Sequence, residues 1–205
     1  MQTPLFRRLR LAALAATTLL SCGLLPPATA PIQAMPQGAS SLPAASSIVK
    51  PRAIVSLDPV PRGKEFQVAV LVDIARGFHM NSHKPSDEYL IPTTLTPQLP
   101  AGFQLADTMY PNGRLEKFSF SPNKPLDVYT GSVTLRMRVV AQPSAPLGMA
   151  TIPVTLRYQA CNDAACLPPV KVPVTVQFQV APAGAKAQPV HPEVFSSATP
   201  EHLLH

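Results

Sequence analysis

Apolar and polar residues alternate one by one along much of this chain, which is the pattern of β-strands that bury one face. Four long segments show it most clearly. Their apolar positions are Val68, Val70, Val72 and Ile74; Val133, Leu135, Met137 and Val139; Ile152, Val154, Leu156 and Tyr158; and Val172, Val174, Val176, Phe178 and Val180. Shorter strands are predicted at residues 54–57, 78–82, 93–96, 103–109 and 117–120.

Turns rich in proline and glycine separate these segments, and no helical period interrupts them. About seven to nine short strands in this arrangement predict an all-β fold, an immunoglobulin-like antiparallel β-sandwich over residues 48–182. The 26 prolines of the 205-residue chain argue against a helical bundle, because an internal proline breaks a helix.

The first 22 residues have the pattern of a secretory signal peptide. Three arginines, Arg7, Arg8 and Arg10, precede the short apolar run 11–20. The run is too short to span a bilayer, which needs about 20 residues. We therefore expect an exported protein.

Two cleavage sites are consistent with this signal. The run 19–22 resembles a bacterial lipobox, in which Cys22 becomes the lipidated first residue and anchors the protein to a membrane. Alternatively, cleavage follows the small residues that end at Ala30, although Pro31 then comes directly after the cut.

Both ends of the mature chain are predicted to be disordered. Residues 23–47 form a tether of Pro, Ala, Ser and Gln, and residues 183–205 form a tail without a sustained apolar period. Such compositions bury too little surface to offset the entropy lost on ordering.

The net charge of +6 comes from 17 Lys and Arg against 11 Asp and Glu. Removing the three arginines of the signal leaves 14 basic residues (17 − 3), so the mature excess is about +3. These residues are scattered and form no basic patch, which argues against nucleic-acid binding.

Two cysteines, Cys161 and Cys166, remain after the signal, and an exported chain is expected to pair them. They lie between a strand that ends near Ala160 and one that starts near Val170, so they are predicted at the mouth of a hairpin. A Cα separation of about 4.4–6.8 Å would suit the disulfide. A bridge that closes so short a loop stabilises a fold only weakly, and it is accessible to a partner thiolate. On the residues alone, a redox role and a structural role both remain open.

Four segments of the chain resemble a known family. They are YQACNDAACLPP at 158–169, GFHMNSHKPSDEYLIPT at 77–93, TMYPNG at 108–113 and LDVYTG at 126–131. Over roughly residues 49–180 the sequence is similar to the amino-terminal domains of DsbD-type thiol:disulfide interchange proteins.

The resemblance implies an immunoglobulin-like domain that exchanges disulfides in the periplasm and needs no cofactor beyond its own redox-active disulfide. By this resemblance Cys166 forms the mixed disulfide with partners and Cys161 resolves it. The expected electron donors are a DsbD- or CcdA-type membrane protein and a thioredoxin-like protein, since this sequence contains neither a multi-helix membrane segment nor a thioredoxin-like domain. The expected acceptors are oxidised periplasmic thiol proteins.

The resemblance also implies a cap loop that shields the pair, at residues 127–131, with Tyr129 as the shielding aromatic. The strand with Phe78, His79 and Asn81 is expected to flank the site, although well-known members carry tyrosines at its polar positions.

Carboxylates close to the pair disfavour a thiolate. From their positions in the sequence, we expect Asp127 and Asp163 to hold the reduced pair unreactive until a partner displaces the cap.

Two other functions remain as alternatives. One is a metal site in which His79 and His83 join the two cysteines as a Cys2His2 set. The other is a non-catalytic binding module with a structural disulfide.

Overall fold

The computed structural model describes residues 43–196. The predicted signal peptide with Cys22, the tether up to residue 42 and residues 197–205 lie outside the described residues. Within residues 43–196, no helix has the length and apolar character needed to cross a membrane.

The described part of the chain is built almost entirely of β-strands. A 3-10 helix at Ala45–Ser47 precedes them, and a short α-helix, α1, follows at Pro192–Phe195. The strands are β1 (Val49–Val55), β2 (Leu57–Asp58), β3 (Val60–Pro61), β4 (Glu65–Ile74), β5 (His79–Asn81), β6 (Thr94–Pro97), β7 (Phe103–Met109), β8 (Arg114–Phe118), β9 (Ser121–Tyr129), β10 (Ser132–Ala141), β11 (Gly148–Tyr158), β12 (Ala160–Cys161), β13 (Val170–Ala181) and β14 (Gln188–Pro189).

The strands form two large sheets, a third sheet that carries Cys161, and a two-stranded sheet of β14 and β2. The first large sheet has the order β1-β4-β10-β7, and the second has the order β3-β13-β11-β6. The third has the order β12-β5-β9-β8. Neighbouring strands are antiparallel, except that β13 and β3 run parallel. The predicted all-β, immunoglobulin-like antiparallel sandwich is confirmed.

The alternation along the strands decides which side chains enter the core. From Leu135 to Ala141 in β10 and from Val174 to Val180 in β13, every second residue is buried, while the residues between them are half-buried or exposed. Leu135 and Met137 from the first sheet join Ile152 and Leu156 from the second in one apolar cluster, all fully buried. Burial of each such side chain stabilises the fold by roughly 1.5–3 kcal/mol.

The ordered part of the chain extends past residue 182, which corrects the predicted disordered tail for residues 183–196. Strand β14 pairs with β2, and the backbone N–H of Val190 donates to the carbonyl of Ser56 at 3.0 Å. The guanidinium of Arg136 donates to the carbonyl of Val194 in α1. Backbone pairing and one arginine therefore hold a segment that lacks an apolar period.

Tyr158 joins the amino-terminal end of the domain to the sandwich. Its hydroxyl donates a 2.7 Å hydrogen bond to the carbonyl of Ala45, and its side chain is fully buried. Burial raises the pKa of Tyr158 to about 12, so the phenol keeps its proton at neutral pH.

We expect Tyr158→Phe to lower the free energy of unfolding by about 1 kcal/mol, because the carbonyl of Ala45 loses its hydrogen-bond donor. Urea denaturation at pH 7 measures the change. Tyr89→Phe is the control, since Tyr89 is 84% exposed. Equal stability of the two variants would contradict this role for Tyr158.

Candidate functional site

A tight hairpin holds the two cysteines. Cys161 and Cys166 face each other as an antiparallel pair and form a disulfide, with Cα atoms 3.9 Å apart. The separation is shorter than the range expected from the sequence. The Asn162 side-chain oxygen accepts hydrogen bonds from the N–H groups of Ala164 and Ala165, at 2.9 and 2.8 Å. This side chain fixes the turn, as asparagine does in many turns.

The two cysteine residues differ sharply in their exposure to solvent. Cys161 lies in β12 and is 1% exposed, whereas Cys166 lies beyond the turn and is exposed. A thiolate from outside attacks an accessible sulfur, so Cys166 is the more accessible of the two cysteines to such an attack.

His79 is the neighbour of Cys161 on the adjacent strand. The two residues are directly paired in the register of β5 and β12, which places their side chains on the same face of the sheet. The imidazole is 3% exposed, and its Nε2 has no hydrogen-bond partner among the described residues. Burial lowers the pKa of His79, and the nearby charge of Asp163 partly opposes this effect.

The tip of the β8–β9 hairpin covers this face. The ring of Phe118 stacks on His79 at 4.0 Å, and Phe120 stacks on Phe118 at 5.4 Å and is 45% exposed. The hydroxyl of Ser119 donates a 2.7 Å hydrogen bond to the carbonyl of Asp163, in the turn between the cysteines. We call residues 118–120 the aromatic tip.

Sequence reasoning missed the aromatic tip, because it assigned residues 117–120 to a strand. The register pairs Phe118 with Ser121, so only two residues form the turn. The sequence signal that could have indicated this turn is the run Phe-Ser-Phe-Ser at 118–121, in which two aromatics flank a serine and a proline follows.

The structure corrects the prediction that Tyr129 shields the pair in a cap loop. Tyr129 is the last residue of strand β9 and is paired with Met80, so it shares the face of Met80 rather than that of its neighbour His79. Its hydroxyl donates to the carbonyl of Pro111 at 2.9 Å and accepts from the N–H of His83 at 3.2 Å. Tyr129 is therefore part of the core.

Of the two predicted carboxylates, the structure brings only Asp163 to the site. Asp127 lies two residues before Tyr129 on the same strand and so shares its face. Burial raises the pKa of the Tyr129 phenol, and the negative charge of Asp127 adds to this rise. Asp163 occupies the turn between the cysteines and is exposed. The prediction for Asp127 is wrong because residues two apart on a strand point to the same side, here away from the cysteines.

The other predicted flanking residues serve different roles. Asn81 is fully buried, and its side chain donates to the carbonyl of Ile91 at 3.0 Å and to Gln159 at 3.2 Å, next to β12. It holds β5 and its surroundings in place. Phe78 precedes β5 and packs against the main core.

The structure separates the histidines of the metal alternative. The ring of His83 stacks on Tyr110 at 3.6 Å, and its Nδ1 lies 3.1 Å from the carbonyl of Thr93. His79 instead faces Cys161. Within residues 43–196, no group of three or more His, Cys, Asp or Glu side chains is arranged to hold a metal ion.

Comparison with known proteins gives the family. The model of the family described as "Thiol:disulfide interchange protein DsbD, N-terminal" matches residues 45–178, which is more than half of the chain. The chain belongs to this family. DsbD N-terminal domains are periplasmic and interact with thiol-redox partners.

Two solved structures are similar to the chain. The crystal structure of the Neisseria meningitidis DsbD N-terminal domain in the reduced form is 19% identical, with 73% of this chain and 96% of that chain covered and a TM-score of 0.40. The N-terminal periplasmic domain of ScsB from Proteus mirabilis is 11% identical, with 60% of this chain and 44% of that chain covered and a TM-score of 0.43. No curated protein matches the chain.

The lowered pKa of His79 predicts how stability depends on pH. The unfolded chain takes up a proton near pH 6.5, whereas the folded chain does so only at lower pH. Stability is therefore fully present above about pH 6.5 and is lost as the pH falls through the lowered pKa. Urea denaturation of the oxidised protein at pH 7.5, 6.5 and 5.5 measures this loss.

We expect His79→Gln to lose less stability over this pH range than the wild type. His83→Gln is the control, because it removes a histidine on the other side of the third sheet. If wild type and His79→Gln lose equal stability, the buried imidazole is not the source of the pH dependence.

Proposed function

We propose that the chain is a periplasmic thiol:disulfide exchange domain that relays electrons through the Cys161–Cys166 pair. The observation that carries this proposal is the asymmetry of the disulfide, which joins an exposed residue, Cys166, to Cys161, a residue that is 1% exposed, in a member of the DsbD N-terminal family. A purely structural bridge has no need of this asymmetry. The disulfide is itself the redox group, so exchange needs no further cofactor.

In the reducing direction the reaction has two steps. The Cys166 thiolate attacks the disulfide of an oxidised partner, which releases one partner thiolate and leaves a mixed disulfide. The Cys161 sulfur then attacks Cys166, the internal disulfide forms, and the second partner sulfur leaves as a thiolate. Two electrons pass to the partner, and the domain becomes oxidised.

The proposal assigns partners by this chemistry. A DsbD- or CcdA-type membrane protein or a thioredoxin-like protein reduces the domain, and oxidised extracytoplasmic thiol proteins receive the electrons. Residues 1–22 direct export, with Cys22 as the lipid-bearing first residue of the mature chain. Mass spectrometry of the mature amino terminus distinguishes this lipidation from cleavage after Ala30.

The aromatic tip serves as the cap in this proposal. Phe118 covers His79, and Ser119 fastens the tip to the turn between the cysteines. A partner that docks on Cys166 displaces this tip, so the hydrogen bond of Ser119 opposes non-productive exchange.

We expect Cys161→Ala to accumulate mixed disulfides through Cys166, because the resolving sulfur is missing. Mass spectrometry of the trapped species in periplasmic extracts identifies the partners. Cys166→Ala is the matched control, and it should trap little, since Cys161 is buried. Absence of trapped species with Cys161→Ala would favour the binding-module alternative.

The reduction potential separates the two functions independently of any partner. For an exchange domain we expect a value in the range of thiol oxidoreductases, about −270 to −120 mV, by equilibration with glutathione or dithiothreitol buffers. A value below about −300 mV indicates a structural bridge and would refute the proposal.

We expect Ser119→Ala to speed reduction of the disulfide by dithiothreitol by about 2- to 10-fold. Loss of one hydrogen bond, worth about 0.5–1.5 kcal/mol, raises the fraction of molecules with a lifted tip by that factor. Ser121→Ala is the control, because its hydroxyl bonds to the carbonyl of Lys124 within the same hairpin. Identical rates for Ser119→Ala and the wild type would mean that the tip does not limit access.

A further inference from the structure

The buried sulfur poses a problem of proton transfer. Only a thiolate attacks a disulfide, so Cys161 must lose its proton before it can resolve a mixed disulfide. Its side chain is 1% exposed, and burial in apolar surroundings disfavours the thiolate. Bulk water has little access to this sulfur, so a group of the protein must take the proton.

His79 is placed to do so. Directly opposed residues of antiparallel strands have Cβ atoms about 4.5–5.5 Å apart, and the register opposes His79 to Cys161. The ring is 3% exposed, and its Nε2 has no partner among the described residues. A buried nitrogen without a partner is costly, so its retention here calls for a reason.

Few charges face the imidazole from the elements packed against it. Asp163, in the cysteine turn, is the carboxylate whose charge acts on His79. On β9, the residues on the same face as His79 are the apolar Leu126 and Val128. Their partners on the next strand, β8, are the charged residues Glu116 and Arg114. The burial that lowers the pKa of His79 keeps the ring neutral at pH 7, in the form that accepts a proton.

We propose that His79 is the general base for Cys161, an assignment that rests on the exchange function proposed above. Once Cys166 is in a mixed disulfide, the imidazole takes the proton from the Cys161 sulfur. That sulfur attacks Cys166, the internal S–S bond forms, and the bond from Cys166 to the partner breaks with the electron pair on the partner sulfur. The imidazolium then releases its proton to solvent or to the departing thiolate.

The charge of Asp163 stabilises the imidazolium during this step. The aromatic tip couples this proton transfer to the docking of a partner, because Phe118 stacks on the imidazole of His79. A partner that lifts the tip admits water to the imidazole, and the protonated form then becomes less costly. The base is therefore most effective when a partner is bound.

Stopped-flow reaction of the reduced protein with 5,5′-dithiobis(2-nitrobenzoate) tests the two steps separately. The first release of thionitrobenzoate reports attack by Cys166, and the second reports resolution by Cys161. For the wild type we expect the second phase to rise with pH up to the lowered pKa of His79 and to level off above it.

We expect His79→Gln to slow the second phase about 100-fold at pH 7, the lower end for general base catalysis, and to leave the first phase unchanged. Its second phase should continue to rise up to pH values where the thiol itself ionises. His83→Gln should match the wild type in both phases, and Cys161→Ala should show only the first phase.

Two results with His79→Gln would overturn this assignment, namely an unchanged second phase or equal slowing of both phases. Either result leaves the exchange function intact. Absence of the first phase in the wild type overturns the exchange function and with it this assignment.

NMR titration of the wild-type imidazole gives a test that does not depend on the variant folding. We expect a lower pKa of His79 in the reduced protein, where the Cys161 thiol donates a hydrogen bond to the neutral imidazole, and equal values in the two redox states would refute the assignment.

Discussion

The pairing of β12 with β5 determines which side chains lie beside Cys161. Because side chains alternate across a strand, this register puts Cys161 and His79 together on one face and sends Met80 and Ala160 to the core on the other. A shift by one residue would bury the wrong partners and turn the imidazole away from the sulfur. Asn81 and the residue before β12, Gln159, hold this register with backbone and side-chain hydrogen bonds.

The fold was largely predictable because the pattern that specifies its long strands lies within each segment of the sequence. The two-residue alternation of the four long segments is visible in the sequence, and those segments became β4, β10, β11 and β13 of the main sandwich. The cysteine pair and its hairpin were also predictable, since two cysteines with four residues between them need only a tight turn to meet. The exposed and buried positions of the two sulfurs required the structure.

The shielding aromatic was predicted at the wrong place, Tyr129, for a physical reason. The segments around Phe118 and Tyr129 both contain an aromatic beside small or polar residues, and nothing local tells which one faces the cysteines. That choice depends on the register of β9 against β5, which is a contact between distant parts of the chain, and on where the hairpin turn between β8 and β9 falls. The same holds for residues 183–196, where pairing with β2 provides order that the tail sequence does not predict.

Reversibility constrains any role for His79. An exchange domain passes electrons in whichever direction the potentials of its partners dictate, and each step runs backwards through the same transition state. If the imidazole takes a proton when Cys161 attacks, its protonated form must return that proton to Cys161 when an outside thiolate attacks Cys166. A neutral, buried ring that becomes accessible to water when a partner docks suits both directions, because the same imidazole then serves as the base in one direction and as the acid in the other.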